Sequence, residues 1–90
     1  MCTMTFDFQP MADMSEIAGT LQLSCIAVES LFGAVRTQVQ ASYQFRPGEQ
    51  RLVIDMTDRP GQMLALIFLG YVNKEFGVGV LRRLERKGAV

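Results

Sequence analysis

Val35-Arg36-Thr37-Gln38-Val39-Gln40-Ala41-Ser42-Tyr43-Gln44-Phe45-Arg46, followed by Pro47-Gly48 and then Leu52-Val53-Ile54-Asp55-Met56, carries the strongest strand signal in the chain. Val35, Thr37, Val39, Ala41, Tyr43 and Phe45 alternate with Arg36, Gln38, Gln40, Ser42, Gln44 and Arg46, and period two is the signature of a strand with one buried face. Pro47-Gly48 supplies a turn, because Pro presets φ and Gly tolerates a positive one. Leu52, Ile54 and Met56 resume the apolar row. A four-residue loop from Arg46 to Glu49 would pair Phe45 with Gln50, Tyr43 with Leu52, Ala41 with Ile54 and Val39 with Met56, which keeps both apolar rows on one face. Residues 34–37 would then project beyond their partner strand. A projecting edge can pair with another molecule, so Val35 and Thr37 are interface candidates.

Upstream of this hairpin, Met4, Phe6 and Phe8 alternate with Thr3, Thr5, Asp7 and Gln9, a half-buried strand stopped by Pro10. Asp13 with Glu16 three residues later resembles a capping box. Met14, Ile17, Leu21, Cys25, Val28 and Phe32 then recur every three or four residues, an amphipathic helix ending at Gly33. Leu23 and Ile26 fall off that stripe. They either widen the buried face or belong to an interface. Downstream, Asp58-Arg59-Pro60-Gly61 reads as a helix start. The helix it opens is apolar nearly all round from Met63 to Leu69, with Tyr71, Val72 and Phe76 beyond, and such a helix is expected to be buried on more than one side. Gly77 ends it. Val78 to Arg86 is read as a last strand with a bulge near Leu81, although Leu81 and Leu84 also suit a helical turn.

The order β-α-β-β-α-β, with nothing left over for a linker or repeat, predicts an α+β ferredoxin-like sandwich. Right-handed crossovers place both helices on one face of a four-stranded antiparallel sheet in the order 4-1-3-2. The 90 residues form one domain, with a radius of roughly 12 Å. A chain this short buries only about 60–65% of its unfolded surface, yet 49% of its residues are hydrophobic. Homo-oligomerisation is the remaining way to cover apolar area.

Composition excludes much. There is no histidine, and two distant cysteines build neither a disulfide framework nor a thiolate metal cage, so no metal or cofactor is expected. No Lys or Arg precedes Arg36, no apolar stretch approaches the roughly 20 residues of a membrane span, and a cytoplasmic location without membrane association is the expectation. The open sheet face would show Thr5, Asp7, Gln38, Gln40, Gln44, Arg51 and Asp55, while Phe6, Phe8, Tyr43 and Phe45 turn toward the helices. With zero net charge as well, nucleic-acid binding is not expected. Acylphosphatase-like chemistry wants an Arg in a phosphate-cradling first loop, and Gln9 to Ser15 holds neither Arg nor Gly. A catalytic carboxylate pair is conceivable at Asp7 and Asp55 if these share adjacent strands, although arginines are the commoner partners. The chain reads as a non-enzyme.

Charge is unevenly placed. Residues 1–32 hold Asp7, Asp13, Glu16 and Glu29 with no base, a charge of −4. The remaining nine bases and five acids give residues 33–90 a charge of +4. Two faces complementing each other within one fold, or a contact between chains, would both explain it. The basic cluster Arg82-Arg83-Leu84-Glu85-Arg86-Lys87 would suit an acidic partner, including the first helix of a neighbouring copy.

The stretch from Leu52 to Ala65, with Asp58-Arg59-Pro60-Gly61 at its centre and running to Phe76-Gly77-Val78, resembles the opening strand, turn and helix of an ACT domain. The resemblance covers about a third of the chain. It implies a ferredoxin-like regulatory module that dimerises and binds amino acids, with ligand near Asp58, Arg59 and Gly61 at a subunit interface. In ACT domains the motif follows the first strand, whereas here it follows the third. The first expectation is thus a self-associating interaction or regulatory module, and the alternative is a small-molecule sensor.

Overall fold

The computed structural model describes residues 2–33 and 43–88. The elements run β1 (Thr3–Phe8), α1 (Met14–Phe32), β2 (Tyr43–Arg46), β3 (Arg51–Asp55), α2 (Arg59–Phe76) and β4 (Leu81–Lys87), with short 3-10 turns at Pro47–Glu49 and Val78–Val80. All strand pairs are antiparallel, in the order β2-β3-β1-β4. This is the ferredoxin-like βαββαβ arrangement that the hydrophobic periods predict.

Local chemistry explains both helices. Asp13 Oδ1 accepts from the Ser15 and Glu16 N–H groups at 3.0 and 3.4 Å, satisfying two donors the first turn cannot use itself. Asp58 Oδ1 does the same for Gly61 N–H at 2.9 Å, with Pro60 in the first turn. Gly33 and Gly77 end the helices at φ +87° and +80°, a region that costs residues with a Cβ.

The core is the apolar face of the sheet beneath the helices. Phe6, Phe8, Leu52 and Ile54 form its floor and Ile17, Leu21, Val28, Leu64, Phe68 and Val72 its roof. Phe68 sits edge-on to Phe6 and Phe8, with ring centroids 5.0 and 6.3 Å away.

Three expectations are corrected. Tyr43 pairs with Ile54 and Phe45 with Leu52, two residues from the expected register. The loop is Pro47 to Gln50 because Gln50 adopts the left-handed conformation (φ +51°) and donates its N–H to Pro47 O at 3.1 Å. A shift of two leaves every side chain on its expected face. Val78–Val80 is a 3-10 turn rather than strand, closed by Val80 N–H on Gly77 O. Extension begins at Leu81, and the bulge falls at Arg82, since Phe8 faces Leu81 while Asp7 faces Arg83. Finally, α2 is buried along one stripe only: Leu66 is 60% exposed and Tyr71 also meets solvent. Val35 and Thr37, the edge-strand candidates, lie outside the described residues.

Candidate functional site

The open sheet face is a lattice of charges. The observed pairings align Arg46, Arg51, Asp7 and Arg83 across the four strands. Asp7 is only 4% exposed and accepts from Arg51 Nε at 2.7 Å, and this bond holds the Arg51 guanidinium above its usual pKa. Arg46 is drawn to Gln44 and Glu49, and Arg83 and Lys87 to Glu85, whose carboxyl they hold below its usual range, Lys87 foremost. Asp55 stands opposite Thr3, four residues along from the Asp7 row, roughly 13 Å away by strand rise. The register therefore does not bring Asp7 and Asp55 together. Asp55 instead accepts from the Thr57 hydroxyl and N–H, which lower its pKa. Cys25 is buried on α1 beside Tyr43, and burial first, then Glu29, pushes its thiol pKa up. A thiol in that setting is a poor nucleophile.

At the 58–61 turn, Asp58 and Arg59 are exposed and Gly61 is buried. A Cβ on Gly61 would lie 2.0 Å from the Asp55 carbonyl oxygen, so the glycine admits the neighbouring β3 backbone. Asp58 Oδ1 is engaged by Gly61 N–H, and Gln62 Nε2 reaches back to Met56 O at 3.1 Å. Fold contacts account for the turn.

The helix layer is different. Ile17 to Val28 of α1 and Pro60 to Asn73 of α2 contain no charged residue. One face of each helix meets the core; the other should then carry charge to stay in water, and it does not. Leu23 is 55% and Ile26 58% exposed, so neither widens the buried face. They border a groove of about 590 Å³ between α1 and the end of α2, walled also by Gly19 and Phe76. Its polar residues are Glu16, Thr20, Gln22 and Glu75, with no base among them. Thr20 Oγ1 donates to Glu75 Oε2 at 3.3 Å and so ties α1 to α2 at the groove, while Ser24 Oγ donates within α1 to Thr20 O at 2.8 Å. Periodicity places Tyr71 one turn before Glu75 on the same side of α2.

Sequence periodicity singled out Leu23 and Ile26. Glu75 and Phe76 were missed, because helix rotation about its axis against a neighbour is a property of the packed pair. The only local clue is the four-residue spacing of Tyr71 and Glu75. Among the described residues no three carboxylates or thiols gather as a metal site, and no helix is long and apolar enough to cross a membrane. No family model, curated protein or solved structure matches the chain.

Proposed function

We propose that this chain is a non-catalytic interaction module that self-associates through the outer surface of its helix layer. The observation that carries the reading is the exposure of Leu23 and Ile26 on three charge-free turns of α1, at the lip of a groove. Large apolar side chains scattered singly on a surface need no explanation, but a pair one turn apart beside a concavity has the form of a docking surface. The non-catalytic part is supported by Asp7 being held by Arg51, by Asp55 lying apart from it, and by the burial of Cys25.

Size-exclusion chromatography with light scattering at about 50 μM, a concentration at which micromolar interfaces are populated, tests the reading. The expected mass is at least twice 10.1 kDa. Leu23→Asp with Ile26→Asp should return it to the monomer while the helical circular dichroism persists. A wild-type protein that elutes as a monomer sinks the proposal.

A further inference from the structure

α1 carries a second row besides the stripe that meets the core. Glu16, Gly19, Leu23, Ile26 and Ser30 are alternately three and four residues apart, and all five are exposed. This is the heptad spacing of a seam that packs against another helix at a shallow angle of about 20°. Its two large apolar side chains sit in the middle, with small and polar ones outside them. Interfaces share that layout, an apolar centre within a polar rim.

The row is also its own partner when reversed. About a two-fold axis passing between Ser24 and Cys25, Leu23 meets Ile26 of a second copy and Gly19 meets its Ser30, and each pair occurs twice. Charge selects this direction. Ile17 to Val28 offers no charge to a partner of either sign. The acids lie together at one end, where Glu16 borders the groove and Thr20, one turn on, donates to Glu75. A parallel seam would set Glu16 against Glu16. The antiparallel one separates these two carboxylates by roughly 25 Å along the axis, well beyond the screening length of about 8 Å. Leu66 and Tyr71 of α2 extend the exposed apolar surface of the helix layer. Two such layers meeting over about 21 Å by 20 Å cover roughly 800–900 Å² in all, the size of a weak, reversible contact.

We propose that α1 packs antiparallel against α1 of a second copy, about a two-fold axis between Ser24 and Cys25, with Leu23 on Ile26 at its centre. This rests on the self-association reading and names the partner surface as the same surface. A joint of that kind closes at a dimer.

Two sets of variants test direction and register, each checked for its fold by circular dichroism. In a Cys2→Ser background, which leaves only the buried Cys25, Gly19→Cys and Ser30→Cys are oxidised separately and as a mixture. The space around Gly19 is open and Ser30 is exposed, so both sites admit a thiol. Taken separately, equivalent thiols stand roughly 16 Å apart along the axis, beyond disulfide reach; in the mixture, unlike thiols face each other. Mass spectrometry without reduction should show the mixed disulfide forming at least tenfold faster than either symmetric one. Independently, Gly19→Lys with Ser30→Glu in one chain should tighten association about threefold in 50 mM salt, read by sedimentation equilibrium, because each introduced ammonium meets an introduced carboxylate across the seam. A parallel seam would set like charges together and loosen it. If wild type associates but either single thiol variant cross-links to itself as readily as the mixture does, or the charged double variant associates more weakly, the antiparallel seam is wrong while self-association stands. A monomeric wild type overturns both.

Discussion

Gly61 is the residue whose role changes most between sequence and structure. Within the motif that resembles an ACT turn, its lack of a side chain would let a ligand approach. In the fold, the space is filled by the Asp55 carbonyl oxygen, 2.0 Å from where a Cβ would stand. Gly61→Ala must push β3 and α2 apart, an overpacking strain of about 1–3 kcal/mol. Gly70, nine positions on in the same helix, has nothing within 4 Å of its virtual Cβ. Gly70→Ala should stabilise the fold by up to about 1 kcal/mol through helix propensity. Urea denaturation of the two variants should therefore move the midpoint in opposite directions. Equal effects would mean that Gly61 is not packed against β3. Asp7 makes a related point about single residues. It belongs to the polar alternation of β1, as the sequence indicates, but its near-complete burial depends on Arg51, 44 positions away, and on the strand register that aligns them.

Elements divide by how local their determinants are. Both helices were legible from end to end because each signal is local: the capping aspartate acts within three residues, the stripe recurs every three or four, and the glycine stands directly after the last turn. Asp13→Ala should accordingly cost about 1 kcal/mol by stripping the acceptor from two N–H groups. Asp13→Ser should recover most of that, since serine offers an acceptor at the same place. Thermal melts of the two variants would check this, and equal losses would show that the charge rather than the cap matters. The hairpin was legible in face and not in register. A left-handed Gln50 sets the register, and glutamine gives no advance sign of that conformation, whereas Gly48 does and does not use it. Val78-Gly79-Val80 alternates like a strand, but Gly77 O captures Val80 N–H and the chain winds before β4 begins. The apolar girth of α2 was visible in the sequence. Whether that surplus would face the core or solvent depended on what else packs there, and Leu66 faces solvent.

For the molecule as a whole, size and surface set the problem that self-association would answer. A 90-residue chain has a single core clamped by Phe68 between strands and helices, and its helix layer leaves leucine and isoleucine in water. A partner that binds only the folded state adds stability by mass action. For a dimer, each tenfold rise in protein concentration contributes about 1.4 kcal/mol per mole of dimer. Unfolding enthalpy scales at about 0.7 kcal/mol per residue, so a dimer of this chain melts with roughly 125 kcal/mol. The corresponding entropy turns 1.4 kcal/mol into an upward shift in melting temperature of about 3–4 °C per decade of concentration. Scanning calorimetry at about 10 and 100 μM should reveal that shift in the wild-type protein, since the transition couples unfolding to dissociation. The Leu23→Asp, Ile26→Asp variant, deprived of its exposed apolar pair, should melt at one temperature throughout the range. A wild-type melting temperature that ignores concentration would mean that the exposed row on α1 is tolerated in water by the monomer, and that the fold stands without a second copy.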